Sequence, residues 1–205
     1  MAITLGISPT TDDLFGKSKW WGAPDLPKSW DYPCYQECPL NFICQIRCED
    51  LADVDKDNLL PHTGMLYFFA SLGEFLEGFE CDVDSCYSGE WAKEAYRVLY
   101  SPSCDDLETY EILWDDDDTP AHLPAEQIEF HYVEMPAGDY HKLLGQPYFS
   151  EVQEYYPNHI SLLQIDEDDR WRLRFVDCGM LNFLITPEQL KAREWDKAFA
   201  HLYFF

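Results

Sequence analysis

The fold is decided by a short phrase that occurs twice in the chain. The first copy is Phe42-Ile43-Cys44-Gln45-Ile46, followed after a polar loop by Gly64-Met65-Leu66-Tyr67-Phe68-Phe69. The second is Leu162-Leu163-Gln164-Ile165, followed after another polar loop by Gly179-Met180-Leu181-Asn182-Phe183-Leu184. Each copy is typical of a strand, a connection, a glycine and a second strand. Because a unit of this size cannot close a core alone, the sequence predicts two half-domains that complete each other about a pseudo-twofold relation.

We therefore expect one domain over residues 1–205, with repeat copies at about 41–72 and 159–190. The predicted class is α+β, mostly antiparallel sheet with a few short helices. Further strands are expected at 96–100, 127–134, 170–176 and 198–205, and short helical segments at 139–144 and 150–156. The first forty residues are rich in proline and aromatics, which favours an extended segment laid over the core.

The last helix has the clearest local pattern. Thr186 fits an N-cap, Pro187 the first helical position and Gln189 the third, which together make a capping box. Ile185 and Leu190 are spaced as a hydrophobic staple. A helix is therefore expected to begin at this point.

Charge is the anomaly of the composition. The chain has 39 acidic and 14 basic side chains in 205 residues, a formal net charge of −25. Nucleic acid and anionic membranes attract positive surfaces, so neither is an expected partner. A basic protein or a cation is the favoured partner.

The N-terminal residues lack a signal-peptide pattern, and no window is apolar enough for a membrane span. We expect a soluble, cytoplasmic protein. Eight cysteines are many for that compartment, where thiols stay reduced. Most of them are interpreted as small buried hydrophobic residues.

An ordered series of phrases carries a family resemblance. It comprises Ser18-Lys19-Trp20-Trp21-Gly22-Ala23-Pro24-Asp25-Leu26-Pro27, Pro39-Leu40-Asn41-Phe42-Ile43-Cys44-Gln45-Ile46, Gly64-Met65-Leu66-Tyr67-Phe68-Phe69, Leu143-Leu144-Gly145-Gln146-Pro147, Leu162-Leu163-Gln164-Ile165-Asp166, and Asp177-Cys178-Gly179-Met180-Leu181-Asn182-Phe183-Leu184-Ile185. Over nearly the whole chain from Lys17, this resembles the YwqG-like family of uncharacterised bacterial proteins, also called DUF1963. The resemblance implies an α+β fold with two related halves, and it brings no activity, cofactor or catalytic residue. Phe175-Val176 departs from the family's usual Trp-Gly pair, and the acidic middle is expanded.

Two charged stretches are candidate binding residues. Arg170, Arg172 and Arg174 are expected on one face of a strand, where they neutralise neighbouring acids or, alternatively, bind an anion or carboxylate. The run Asp115, Asp116, Asp117 and Asp118 can hold divalent cations loosely, but such runs are usually solvated loops.

The thiols Cys34, Cys38, Cys44 and Cys48 are weak candidates for a zinc site. Their paired spacing is allowed, but the interval between the pairs is short, so buried thiols are favoured and no metal or cofactor is expected. Asp53-Val54-Asp55-Lys56-Asp57 begins like a calcium loop but has Asn58 and Gly64 where glycine and a bidentate glutamate are required. A solvated turn is the favoured interpretation.

Nucleophilic chemistry has one candidate, Cys178, with His159 and His201 on neighbouring strands. A reactive thiol needs a lowered pKa, and the adjacent Asp177 opposes that. The favoured function is a non-enzymatic binding module for a basic partner, for example an immunity protein that masks a toxin. The alternatives are an enzyme or small-ligand receptor with a cleft between the halves, with an arginine of the trio or Cys178 at its mouth, and a metal-dependent regulator.

Overall fold

One antiparallel sheet of eleven strands organises the protein. The computed structural model describes residues 1–79, 87–114, 118–134 and 140–205. Its strands are β1 Ala2–Pro9, β2 Lys19–Trp20, β3 Asp25–Pro27, β4 Cys34–Tyr35, β5 Cys38–Pro39, β6 Asn41–Arg47, β7 Met65–Ala70, β8 Gly89–Glu90, β9 Tyr96–Ser101, β10 Leu107–Thr109, β11 Glu126–Val133, β12 Lys142–Leu143, β13 Ile160–Asp166, β14 Met180–Ile185 and β15 Phe199–Tyr203. The large sheet has the order β8-β15-β14-β13-β12-β1-β11-β2-β6-β7-β9, and it curls. Two small ladders, β3 with β10 and β4 with β5, lie beside it.

The repeated phrases form the two most buried hairpins. All six residues of β7 and all six of β14 are buried, as expected for nearly continuous apolar strands covered on both faces. The rings of Phe68 and Phe183 meet inside the curl, with centroids 5.3 Å apart, so the two hairpins share the main core. Alternate residues of β7 and β14 point outward into two smaller clusters, one around Tyr67 and Phe69 and one around Met180 and Leu184.

Glycine opens β7 and β14 for a steric reason. Gly64 has φ +82°, and a Cβ there would collide with the carbonyl oxygen of Ser101. A Cβ on Gly179 would collide with the backbone and side chain of Phe175. The glycine in each phrase therefore permits close approach of a neighbouring segment.

Helices are a minor part of the structure, so the α+β label fits only loosely. The described residues contain two α-helices, α1 Ser150–Tyr155 and α2 Pro187–Lys191, and three 3-10 turns at Cys48–Leu51, Lys93–Ala95 and Trp195–Lys197. The predicted capping box is confirmed, because Thr186 accepts from the Gln189 N–H and the Gln189 side chain accepts from the Thr186 N–H. No helix in the described part of the chain has the length and apolar character that crossing a membrane requires.

Several local predictions are correct. Strands occur at Tyr96–Ser101, Glu126–Val133 and Phe199–Tyr203, and a helix at Ser150–Tyr155, each within a few residues of the expected range. These segments combine a clear apolar pattern with nearby turn residues, which is where sequence patterns are most informative.

Three local predictions are wrong. The first forty residues are not simply an extended cover, since β1 is a central strand that pairs with β11 and β12. The helix expected at 139–144 is replaced by β12 at Lys142–Leu143, and Asp139 lies outside the described residues. The strand expected at 170–176 is a series of tight turns with Arg172 and Val176 at positive φ. In each case the partner strand or the packing surface comes from a distant part of the chain, and this overrides the local pattern.

Candidate functional site

Two buried glutamines each tie together the ends of a loop. On β6, Gln45 accepts from the Asp25 N–H (2.9 Å) and donates to the Lys17 carbonyl (2.8 Å). On β13, Gln164 accepts from the Tyr148 N–H (2.9 Å) and donates to the Tyr140 carbonyl (3.0 Å). Both glutamines are fully buried. Each amide therefore satisfies backbone groups at both ends of a segment that carries a buried lysine, and so holds that segment in place.

The first of these lysines, Lys19, forms a buried ion pair. Its ammonium lies 2.8 Å from the Asp25 carboxylate, and both side chains are almost completely buried. The same carboxylate accepts hydrogen bonds from the Gly16 N–H, the Gln45 amide and the Thr109 hydroxyl. A buried charge pair is tolerated when its remaining lone pairs are satisfied in this way.

The second lysine, Lys142, is buried without a carboxylate among its described contacts. Only 2% of Lys142 is exposed, and its ammonium donates to the Gln146 carbonyl at 2.8 Å. Burial lowers the pKa of Lys142 to about 8. The Tyr148 N–H makes the bond to Gln164 that the Asp25 N–H makes to Gln45, but the side chain of Tyr148 is half-exposed.

A polar cleft of about 380 Å³ opens above the Lys19–Asp25 pair. Exposed carboxylates of Asp12, Asp13 and Glu111 contribute to its walls, and so does the exposed ring of Phe15. Glu111 contacts Nε2 of His122 at 2.7 Å. Among the described lining residues, the one lysine or arginine is Lys19, which already pairs with Asp25. The cleft therefore carries an excess of negative charge at its mouth.

The predicted arginine trio lies on a turn, and all three guanidinium groups contact carboxylates. Arg170 makes a two-pronged contact with Asp168 and approaches Glu126 at 3.5 Å. Arg172 contacts Glu77 at 2.6 Å, and Arg174 contacts Asp169 and Glu167. The residues between the arginines, Trp171, Leu173 and Phe175, are buried, so charged and buried side chains alternate along this turn. This arrangement supports charge neutralisation rather than an open anion site.

Around Arg170 the contacts are extensive. Burial alone would raise the pKa of Asp168, but hydrogen bonds from His141 and Arg170 lower it well below its usual range. The Trp171 indole donates to Glu126 at 3.0 Å, and its ring stacks on Trp20. Arg170 therefore closes a packed cluster of rings and acids.

Most of the acidic run lies outside the described residues, namely Asp115, Asp116 and Asp117. Asp118 is exposed, and its N–H donates to the Trp114 carbonyl at 3.1 Å. This last acid of the run therefore belongs to a solvated turn.

The cysteine cluster is not assembled into one site. Cys44 and Cys48 are buried, Cys34 is exposed, and Cys38 is disulfide-bonded. Burial raises the pKa of Cys44 and raises that of Cys48 to about 12. Cys178 is exposed and Cys104 is half-buried, so the expectation that most cysteines are buried is wrong for the described ones. Within the described ranges, no group of three or more His, Cys, Asp or Glu side chains could hold a metal ion.

The candidate nucleophile Cys178 bonds Asp177, and neither His159 nor His201 is among its described contacts. Its pKa is raised, first by the charge of Asp177 and also by a hydrogen bond to that carboxylate. His159 and His201 instead pack against Tyr156 and Phe199, and burial lowers both histidine pKa values. A thiol that resists ionisation, away from a base, is poorly suited to attack.

The stretch that resembles a calcium loop is held by an internal bond network. Asp55 is buried, and its carboxylate accepts from the N–H groups of Leu59 (3.2 Å) and Leu60 (2.7 Å). This aspartate therefore closes a turn, as its loop-like sequence predicts, but it does so from a buried position and not a solvated one.

Sequence reasoning did not identify Lys19, Asp25 or Lys142 as site residues. A pattern was present: Lys19-Trp20-Trp21-Gly22 and Lys142-Leu143-Leu144-Gly145 share a lysine and a glycine at the same spacing. In both, the residue before the glycine and the glycine itself have positive φ. That pattern would have linked both lysines to the two glutamine strands.

The structure therefore defines a mostly antiparallel sheet protein with a polar cleft above a buried ion pair. The chain belongs to the DUF1963 family, a domain of unknown function, whose family model matches residues 18–202. No curated protein matches the chain.

Proposed function

We propose that this acidic protein is a non-enzymatic binding module for a basic partner protein. The carrying observation is the cleft above Lys19 and Asp25, where the carboxylates of Asp12, Asp13 and Glu111 face a volume of about 380 Å³. A lysine or arginine side chain of the partner is the occupant that this charge favours. An immunity protein that masks a basic toxin is one concrete version.

The distribution of positive charge supports the same proposal. The arginines of the 170–174 turn are engaged with carboxylates, and Lys19 and Lys142 are buried. With a net charge of −25, the remaining field attracts cations over a Debye length of about 8 Å at physiological salt. Association with the partner should therefore be fast and should slow as salt rises.

The test separates the cleft from the overall charge. The partner is first isolated by cross-linking and affinity purification, and its association and dissociation rates are measured at several salt concentrations. The cleft variant combines Asp12→Asn, Asp13→Asn and Glu111→Gln. The matched control combines Asp53→Asn, Asp57→Asn and Glu154→Gln, which removes the same charge from exposed sites elsewhere.

Both variants should slow association slightly, because both reduce the net charge. The cleft variant should also weaken the affinity by about tenfold or more, as expected when buried charge pairs at an interface are lost. Equal affinities of the two variants would show that the cleft does not bind the partner and that the net charge only speeds the encounter. A partner that is not basic, or turnover of a small molecule, would overturn the proposal.

We also propose that the chain is a single domain built from two related halves. The hairpins β6–β7 and β13–β14 have the same register, because Gln45 faces Tyr67 and Gln164 faces Asn182. Each ladder also has one irregularity at the matching place, between Phe42 and Cys44 in the first and between Ser161 and Leu163 in the second. Lys19 faces Gln45 as Lys142 faces Gln164.

The central strand pair fits a pseudo-twofold axis. In the β1–β11 ladder, Leu5 faces Phe130 and Ile7 faces Ile128, on either side of the Gly6–Glu129 pair. β1 pairs with β12, and β11 pairs with β2, so each half gives its first strand to the other. Superposing 17–25, 41–47 and 64–70 on 140–148, 160–166 and 179–185 in a crystal structure tests this proposal. Unrelated backbone paths would contradict it.

We further propose that the protein works in the cytoplasm. Five described cysteines are free thiols, and Cys34 and Cys178 among them are exposed, as is usual in a reducing compartment. Cys38 is disulfide-bonded and is the exception. Maleimide labelling in intact cells should modify Cys34 and Cys178. Finding both oxidised would argue for another compartment.

A further inference from the structure

A groove on another part of the surface has the character of a small-molecule site. Its volume is about 560 Å³, and the rings of Tyr32, Tyr35, Phe79 and Trp114 contribute to its lining together with the polar residue Asn41. Ligand sites typically enclose about 300–1,000 Å³ and combine aromatic walls with a few polar groups. Among the described residues, the groove shares no lining residue with the acidic cleft.

The walls of the groove are held in place by contacts of their own. The Tyr32 hydroxyl donates to the Leu40 carbonyl at 2.9 Å, and its ring packs edge-on against Phe69. The ring centroids of Phe79 and Trp114 are 6.0 Å apart. Asn41 is fixed because its side-chain oxygen accepts from the Leu72 N–H. A groove whose walls are already ordered loses little entropy when it binds a ligand.

A small annex of about 20 Å³ adjoins the groove and is lined by Trp21. The groove and annex share lining residues, including Tyr32, Asn41 and Phe79. Trp21 is 2% exposed, and its indole N–H has no hydrogen-bond partner among the described residues. An orphan buried donor costs about 1–3 kcal/mol, which an acceptor atom brought to the indole N–H would recover.

We propose that this groove binds a planar aromatic small molecule, uncharged or cationic, whose hydrogen-bond acceptor reaches the Trp21 indole. The aromatic walls select the ring, and the orphan N–H selects the acceptor. A net charge of −25 disfavours anionic ligands. This site goes beyond the binding of a basic partner, because it uses a different chemistry and its aromatic walls line the groove and not the acidic cleft. The annex borders the cleft and shares Gly22, Ala23 and His122 with it.

Two bicyclic probes of similar size test the proposal on the full chain. Coumarin carries a carbonyl acceptor, and naphthalene has none. Binding of each is followed by NMR titration, using the indole N–H resonance of Trp21. Coumarin should bind about tenfold more tightly, as one hydrogen bond predicts, and should shift the Trp21 indole proton downfield.

Three variants locate the site. Trp114→Ala, at the half-exposed mouth of the groove, should weaken both probes. Trp21→Phe should bring coumarin down to the affinity of naphthalene; the Trp21 resonance of the unaltered protein keeps the test valid if this variant folds poorly. Tyr155→Ala alters a ring that is 68% exposed and is not among the groove's lining residues, and it should leave both affinities unchanged.

The annex is also large enough for one water molecule, which could satisfy Trp21 without any ligand. In that case the two probes would bind equally and the Trp21 proton would not shift, which would overturn the proposal. No saturable binding of coumarin, or binding indifferent to Trp114→Ala, would overturn it as well. None of these outcomes bears on the basic partner, whose cleft is altered in none of the variants.

Discussion

Lys19 and Lys142 occupy the same kind of position but differ in their electrostatic surroundings. Each lies on a two-residue strand opposite a buried glutamine, and each is almost completely buried. Lys19 has the Asp25 carboxylate at 2.8 Å, whereas the described contacts of the Lys142 ammonium include only the Gln146 carbonyl. The pairing with a buried glutamine is therefore common to both lysines, whereas the partner of the ammonium differs.

This difference shows which interaction holds the two lysine-bearing segments in place. The glutamine amide bonds two backbone groups in both places, and these backbone bonds do not require a particular side chain at residue 25 or residue 148. Gln45 makes one further bond, to the Asp25 carboxylate. The lysine is not part of the backbone bonds. The glutamine bonds therefore form both where the lysine has a carboxylate partner, beneath the cleft, and where its described partner is a carbonyl.

Removing the acid of the first site should have the largest effect. Asp25→Asn leaves the Lys19 ammonium buried with no counter-charge, and the free energy of unfolding should fall by about 3–5 kcal/mol. Urea denaturation at pH 7 measures this value. Replacing Lys142 by Met is the matched comparison and should cause no such loss. A decrease below about 1 kcal/mol for Asp25→Asn would mean that the pair does not hold this site.

Replacing the glutamines should have the next largest effect. Gln164→Leu strands the Tyr148 N–H and the Tyr140 carbonyl, and should cost about 1–3 kcal/mol. Gln45→Leu should cost more, because Gln45 also donates to the Asp25 carboxylate. Denaturation of both variants is compared with Gln127→Leu, which loses one bond to the Ser8 hydroxyl and should change stability by about 0.5 kcal/mol or less. The reverse order would break the proposed equivalence of the two sites.

Lys142→Met should stabilise the protein by about 1–2 kcal/mol at pH 7, since it removes the cost of burying an ammonium. The pKa of Lys142 is about 8 in the folded protein, whereas the ordinary pKa of a lysine is 10.5. The folded state therefore releases its proton first, and the contribution of Lys142 to stability should rise between pH 8 and 10.5.

The measurement is the free energy of unfolding across a pH range of about 7–11 for the original chain and for Lys142→Met. The difference between them should be largest below pH 8 and shrink as the pH rises. A constant difference would show that Lys142 titrates normally.

Tyr148→Asp should have the smallest effect on stability, and its main effect should be on the pKa of Lys142. It places a carboxylate on the residue whose N–H bonds Gln164, as the Asp25 N–H bonds Gln45, and the pKa of Lys142 should rise by about one unit or more. Stability should change little, because the edge contact of Tyr148 with Phe149 is lost at the same time. An NMR titration of the Lys142 side chain measures the pKa, and Tyr148→Asn provides the uncharged control. An unchanged pKa would mean that residue 148 does not point toward Lys142.

Sequence patterns predicted the elements whose partners are close along the chain. The β6–β7 and β13–β14 hairpins and the α2 cap follow from apolar runs, glycines and capping residues within a few positions of each other. Sequence patterns did not predict β1 or the turn at 170–176. The strand character of Ala2–Pro9 depends on β11 and β12, and the turn at 170–176 depends on contacts with Phe75, Glu77 and Glu126.

The candidate site was harder to predict for the same reason. Lys19 and Asp25 are close in sequence, but their burial depends on Gln45 and Thr109. The cleft walls come from residues 10–15 and from Thr109, Glu111, His122 and Ala125, far along the chain. An excess of acids is visible in the composition, but where those acids converge is not.

The sequence by itself determined the buried hairpins, the capped helix and the family, because each depends on residue types at short, fixed spacings. It also determined the negative charge, which depends on composition alone. The tertiary structure alone decided that Lys19 pairs with a carboxylate while Lys142 bonds a carbonyl. It also decided that the arginines of the 170–174 turn form ion pairs with neighbouring acids. The same holds for the Trp21 indole N–H, which has no hydrogen-bond partner among the described residues. Those properties depend on which distant groups approach within hydrogen-bond distance and on how much water they exclude, and neither quantity is encoded in local spacing.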